Sequence, residues 1–291
     1  MISISVLVSG GLGYDALVKL HTSQKVVAVF TDKNSKSIID FSNINNLPLF
    51  IGNPRNGKAK EFIENIDCDI LFSINYLFII ESDIIQIPKQ FAVNFHGSLL
   101  PKYRGRTPHV WAIINGENRT GVTVHLIKEG IDTGDILLQK IIPIDDNDTG
   151  ATVLNHYKHI YSDLIDEILR GIKENSLQPF SQNERNATYF GKRTSDDGEI
   201  NWYWQKERIR NWIRAQAYPY PGAFTWYNET KVIINKSEID ELGFNYQQPN
   251  GCILLVGDGF LIVKTSNGAL KLSEINSFES FSFQESSFLG K

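Results

Sequence analysis

The chain has 291 residues, 42% hydrophobic and 21% charged, with a net charge of −4. Those proportions exclude a disordered or fibrous chain and suit one large domain or two modest ones. Residues 201–291 carry nine basic and nine acidic side chains, a balance that offers no basic face to a nucleic acid.

Residues 2–8 (ISISVLV) form an apolar, β-branched run ending in the Gly-rich SGGLG, which predicts a buried strand and a tight turn. That opening lacks a basic leader, and no later apolar run reaches the ~20 residues of a membrane helix. A cytoplasmic protein without membrane association is therefore expected. Residues 14–21 have helical spacing, 25–32 form a second strand, and 35–45 a second helix-like segment. Strand runs recur at 47–52, 68–74 and 91–97, with helical or polar segments between them. Such alternation predicts crossover units and a parallel sheet. The expected fold class is α/β, a Rossmann-like doubly wound sheet over residues 1–200.

Two further strands, 121–127 and 135–144, flank the loop KEGIDTG. A long helix is expected over 152–173, and 176–202 shows little periodicity, reading as a linker or an ordered surface excursion. In 208–217 the residues Ile209, Trp212, Ile213 and Ala217 keep helical period, and Pro219, Pro221 and Gly222 stop it. Residues 252–265 read as a hairpin with Asp-Gly at its turn, and 266–275 continues through Asn-Gly. Residues 201–291 are thus expected to form a small antiparallel β domain, akin to a partly open barrel, with a frayed tail from residue 281. Its apolar strands suit either a homodimer interface or a private core. Cys68 and Cys252 match no metal spacing and read as small buried apolar residues, and no metal is expected.

The chemistry concentrates in residues 93–117. Asn94 and His96 lie two apart at a predicted strand end, so both side chains point to one side. Ligands bind at the carboxyl ends of strands in open α/β sheets. Asp132 lies in a loop between two strands. A histidine can take a proton from an attacking amine, a carboxylate can orient and support it, and an amide can donate to an oxyanion. Each residue also has an ordinary alternative: a structural histidine, a turn asparagine, and an aspartate capping its own turn. Residues 72–80 (FSINYLFII) likewise read either as a ligand wall or as a buried strand entering a helix. The glycines at 10–13 lack a full dinucleotide fingerprint, with only Asp32 as an acidic partner.

The string N-x-H-x-S-L-L-P-x-x-R-G, from Asn94 to Gly105, resembles the hallmark of the 10-formyltetrahydrofolate-dependent formyltransferases. Residues 121–137 (GVTVHLIKEGIDTGDIL) are similar to that family's second motif, and 193–202 with 209–226 to a third. The resemblance spans roughly residues 1–230 and departs from the family at Asn75 and Leu77. It implies a Rossmann-like catalytic domain, 10-formyltetrahydrofolate as formyl donor, and three catalytic residues. His96 is then the general acid/base, Asn94 stabilises the tetrahedral intermediate, and Asp132 tunes the histidine. It also implies a folate pocket at Phe78, Ile79 and Ile80, completed by Arg106 and by Lys128, Glu129, Gly130, Ile131 and Asp132.

Within that family the sequence is most similar to enzymes acting on nucleotide-linked (dTDP or UDP) amino sugars for surface polysaccharide synthesis. The favoured acceptor is dTDP-4-amino-4,6-dideoxyglucose. Methionyl-tRNA is the alternative acceptor. Against it stand the short, mildly basic segment 31–50 and the neutral C-terminal part. A second alternative, a formyltetrahydrofolate hydrolase, implies a regulatory domain ahead of the first strand. Ser9, Gly10 and Gly11 are candidates to let the substrate approach the backbone. Lys102, Arg104 and Arg193, with Lys192, are candidates for its diphosphate, and Tyr103, Trp202, Tyr218 and Tyr220 for stacking. Solvated surface charge and ordinary packing are the competing readings of these side chains.

Overall fold

Short β-branched and aromatic runs, separated by helices, build a seven-stranded sheet. The computed structural model describes residues 1–277 and 282–290. The chain begins β1 (Ser3–Val8), α1 (Gly10–Ser23), β2 (Lys25–Thr31), α2 (Lys36–Ile44), β3 (Leu49–Ile51), α3 (Lys60–Ile63), β4 (Ile70–Ile74), α4 (Ser82–Ile85) and β5 (Phe91–His96). It continues β6 (Arg104–Gly105), α5 (Pro108–Ile114), β7 (Arg119–Leu126), β8 (Ile136–Pro143), α6 (Gly150–Lys173), β9 (Tyr189–Phe190) and α7 (Lys206–Ala215). It ends β10 (Ala223–Tyr227), β11 (Thr230–Asp240), β12 (Ile253–Gly257), β13 (Phe260–Thr265) and β14 (Gly268–Ser277).

The large sheet has the order β3-β2-β1-β4-β5-β7-β8. β3, β2, β1, β4 and β5 pair in parallel. All five residues of β4 are buried, which is why it reads as an unbroken apolar run rather than an alternating one. The chain winds outward from β1 to β3 and then crosses to β4, so the sheet is doubly wound as expected. β7 runs antiparallel to β5, with Asn94 opposite His125 and His96 opposite Thr123. β7 leaves the sheet at Leu126, opposite Val93, and the short loop that follows folds back so that Asp132 meets Asn94 and His96.

Compact packing divides the chain into two units. One is 1–105 with 121–142 and 156–189, and the other is 106–120 with 143–155 and 190–291. The second unit holds an open antiparallel sheet of order β10-β11-β14-β13-β12. Its hairpins turn at Asp258–Gly259, where Gly259 has φ +75°, and at Ser266–Asn267. α7 buries Ile209, Trp212, Ile213 and Ala215 and packs against β11.

Two local expectations change. α1 opens at Gly10, inside the segment read as a tight turn, because a left-handed φ of +62° at that glycine turns the chain straight into the helix. The tail read as frayed is tied down over 282–290. Leu289 is buried, Leu289 N donates to Gly251 O, and Ser286 N donates to Ile253 O. Phe281 and Lys291 of that tail lie outside the described residues. The segment 176–202 is an ordered excursion: Phe180 pairs with Ile136, and short 3₁₀ turns form at Glu184–Asn186 and Ser195–Gly198.

Candidate active site

The strand period of two carries Asn94 and His96 to the same side of β5, at its carboxyl end. Beneath that end, Tyr157 Oη donates to Gly97 O at 2.6 Å. A β-carbon on Gly97 would lie 2.6 Å from the Tyr157 ring, so only glycine fits after the histidine. Buried Thr123 donates to Ser98 O at 2.6 Å and accepts from Leu100 N and Gln139 Nε2, which fixes the loop following His96.

His96 is 6% exposed. Its Nε2 lies 2.8 Å from the carbonyl oxygen of Tyr103. A carbonyl only accepts, so the ring proton of neutral His96 sits on Nε2 and Nδ1 keeps the lone pair. Nδ1 lies 3.4 Å from Asp132 Oδ2. Burial pulls the imidazole below its ordinary range, and the Asp132 charge and the Tyr103 carbonyl oppose this only in part. His96 is therefore neutral at pH 7, with its basic nitrogen facing a carboxylate.

Asp132 reaches this position through a left-handed backbone, φ +55°. Its Oδ2 accepts from Gly105 N at 2.8 Å. Its Oδ1 lies 3.4 Å from Asn94 Nδ2 and 3.4 Å from His125 Nε2. Burial alone would raise this carboxyl. His96, His125 and the Gly105 N–H outweigh it and hold Asp132 well below the usual carboxylate range. His125 Nδ1 donates to Leu126 O at 2.8 Å, which leaves Nε2 to accept from Asn94 Nδ2 at 3.2 Å. The Asn94 amide thus bridges His125 and Asp132.

His125, Gly105 and Gln182 were not singled out from the sequence. His125 lies in the strand of the second motif, where no role attaches to it, and Gln182 lies inside the unpatterned segment. Gln182 Nε2 donates to the carbonyls of Asp132 and Gly134 at 2.8 and 2.7 Å. Among the described residues, no group of three or more His, Cys, Asp and Glu side chains is arranged to hold a metal ion. Cys68 and Cys252 are buried free thiols.

β4 ends at Ile74, and the residues after it form an irregular loop rather than a strand running into a helix. Phe78 is half-buried against Tyr76, and Ile80 packs on the core below. Leu77, Ile79 and Ile131 are exposed at 41%, 53% and 53%. Lys128 pairs with Asp135 at 2.7 Å, Thr133 Oγ1 donates to Glu129 O, and Glu129 and Gly130 are exposed. Arg106 is exposed, and its backbone N donates to Phe190 O.

The substrate candidates divide. Ser9 is buried, Gly10 N donates to Ser35 Oγ at 2.9 Å, and Gly11 faces open space. Asp32 accepts from Ser35 Oγ and Asn34 N, closing on its own loop. Lys102 is exposed. Arg104 as a cation for a diphosphate is corrected: its side chain is fully buried and pairs with Glu184 at 2.6 Å. Arg193 is corrected likewise. Its guanidinium lies over the Trp212 and Trp111 rings and donates to Asp197 O and Gln216 Oε1. Tyr103 is corrected as a stacking ring, since it is buried and serves His96 through its carbonyl. Trp202 is also buried, with its Nε1 donating to Thr225. Tyr220 is partly buried, its Oη 2.8 Å from His109 Nε2, and Tyr218 is 82% exposed.

The profile of the Formyl transferase family matches residues 6–169, and that of Formyl transferase, C-terminal domain, matches 192–284. The chain is 37% identical over 237 residues to the bifunctional polymyxin resistance protein ArnA of Wigglesworthia glossinidia brevipalpis. That alignment covers 79% of the chain and 36% of ArnA, so the chain spans little more than a third of that relative. It is 36% identical over 220 residues to methionyl-tRNA formyltransferase of Caldanaerobacter subterraneus subsp. tengcongensis, covering 76% of the chain and 70% of the relative. The fold matches an N-formyltransferase from Helicobacter canadensis, solved with folinic acid and dTDP-3-aminofucose. Its TM-score is 0.76 at 24% identity, over 95% of this chain and 100% of that one. It also matches WlaRD, a sugar 3N-formyl transferase solved with dTDP and 5-N-formyl-THF. There the TM-score is 0.71 at 26% identity, over 97% and 99% of the two chains.

Proposed function

The chain belongs to the formyl transferase family, and from that premise we propose that it transfers a formyl group from 10-formyltetrahydrofolate to the amine of a nucleotide-linked amino sugar. The observation that carries the chemistry is the convergence of Asn94, His96 and Asp132 at the carboxyl end of β5.

The folate, when bound, supplies the activated formyl group. The loops at the ends of β4 and β7 fit its flat pterin. Leu77, Ile79 and Ile131 stand exposed there, where packing alone would bury them. The Asn94 amide donates to the oxygen on which charge develops. Its present bonds at 3.2 and 3.4 Å are long and easily exchanged for that acceptor. His96 Nδ1 takes the proton lost by the acceptor amine and returns it to the departing nitrogen of the donor. Asp132, 3.4 Å away, stabilises the imidazolium formed in between.

The sugar acceptor rests on two supports. WlaRD, a sugar formyltransferase, matches nearly the whole chain, and residues 201–291 are charge-balanced, which suits a small acceptor better than tRNA. Methionyl-tRNA remains the rival because of the 36% identical relative. Incubation with 10-formyltetrahydrofolate and an acceptor panel, read by mass spectrometry, decides. The panel holds dTDP- and UDP-linked 3-amino and 4-amino sugars and methionyl-tRNA. Formylation of a dTDP-4-amino-4,6-dideoxyhexose is expected, a 3-amino product would move the ring position, and formylation of methionyl-tRNA alone would overturn the sugar reading.

A further inference from the structure

Arg104 is the largest fully buried side chain among the described residues, and it is charged. Its Nη1 and Nη2 donate to Glu184 at 2.9 and 2.6 Å. Its Nε and Nη2 donate to Gln182 Oε1 at 3.2 and 2.7 Å. The other end of the same amide donates to the carbonyls of Asp132 and Gly134. Both N–H groups and the carbonyl of Gln182 are thus engaged. The amide cannot be flipped, because flipping would aim N–H groups at a guanidinium and an oxygen at two carbonyls.

Gln182 therefore ties together the two stretches that meet at Asp132. Arg104 precedes Gly105, whose N–H holds the Asp132 carboxylate. The carbonyls of residues 132 and 134 belong to the loop that turns left-handed at Asp132. Aspartate enters that region more readily than most residues, and the two bonds from Gln182 hold it there. Flanking pairs clamp the same stretch: Phe180 and Ile136 exchange backbone bonds, and Ser181 Oγ donates to Asp135 at 3.2 Å.

We propose that Gln182 is a positioning residue that holds the Asp132 carboxylate against His96, through a side-chain amide from the segment between α6 and β9. This rests on the reading of Asp132 as the group that supports His96. With the amide gone, the loop loses two donors, the Asp132 backbone relaxes, and the carboxylate moves away from Nδ1.

The test uses Gln182→Ala and the near-isosteric, apolar Gln182→Met, read first without substrate. Long-range nitrogen–proton NMR follows the His96 imidazole against pH, its signals assigned by their loss in His96→Asn. The Asp132 charge raises the affinity of His96 for its proton, so a displaced carboxylate moves the titration to lower pH. That shift is expected in both variants, with kcat/KM reduced about 100-fold and its acid limb moved the same way. Ile234→Val, which opens a small void in the C-terminal sheet, controls for lost stability and leaves the His96 titration in place. An unmoved titration in either folded Gln182 variant overturns the proposal, as does an equal shift in Ile234→Val. If Gln182→Ala unfolds, Gln182→Met decides. Because the titration needs no acceptor, an inactive parent would count against the proposed function alone.

Discussion

Replacing Asp132 with Asn removes one charge and little volume. In the folded protein His96 Nδ1 and Asp132 Oδ2 are 3.4 Å apart, with side chains only 7% and 12% exposed. At an effective dielectric of about 20, a unit pair at that distance is worth about 5 kcal/mol. The neutral imidazole gains almost none of this, so the stabilisation appears only as the ring takes a proton. At 1.36 kcal/mol per tenfold, kcat should fall about 10³- to 10⁴-fold, while KM for either substrate changes little. The acid limb of kcat/KM should also move to lower pH, since the group that raises the His96 proton affinity is gone. Steady-state formyl transfer from pH 4 to 9 measures both. A loss under tenfold, or an acid limb that stays or moves upward, would refute the assignment of the carboxylate as support for a cationic His96.

Truncating Asn94 to Ala should lower kcat about 10²- to 10³-fold, as for other single oxyanion donors; a fall in substrate affinity alone, measured by calorimetry, would instead make Asn94 a binding residue. Stability should depend on pH through His109, which burial holds down at about 4. Above pH 6.5 both states are neutral at this site. As pH falls toward 4 the unfolded chain takes a proton that folded His109 refuses, and about 3 kcal/mol is lost. Urea unfolding across that range should show the slope, and His109→Gln should flatten it. Gly134→Ala would place a β-carbon 1.6 Å from Leu126 O, so it should cost about 3 kcal/mol and most of the activity, read by thermal unfolding and formyl transfer.

The doubly wound sheet was legible because its strands are buried on both faces and leave unbroken apolar runs such as Ile70–Ile74. The pairing of Asn94 with His96 was legible because a strand fixes the direction of residues two apart. The approach of Asp132 was not contained in any spacing; it depends on the loop after β7 folding back onto His125, the strand partner of Asn94. Arg104 shows where sequence reading stops. An arginine in a basic string reads as a surface cation, but its partners lie 78 to 85 residues away in a segment without periodicity. Nothing local distinguishes a guanidinium that meets a phosphate from one that meets Glu184.

Among the described residues of the first unit, left-handed backbone outside glycine and asparagine occurs only beside His96. Its described non-glycine residues with left-handed φ are Asn46, Asn56, Asn75, Tyr103, Asp132 and Asn175. Asparagine tolerates this conformation, whereas tyrosine gains nothing from it locally. Tyr103 and Asp132 are the two that bracket His96: the carbonyl of one takes the Nε2 proton, and the carboxylate of the other faces Nδ1. Relaxing Tyr103 would release the Nε2 proton and let either tautomer form, and relaxing Asp132 would leave Nδ1 without its counter-charge. The fold therefore carries a left-handed backbone residue at both ends of one imidazole. The gain is a proton acceptor fixed in tautomer and direction before substrate arrives, which is the form of preorganisation that lowers a barrier.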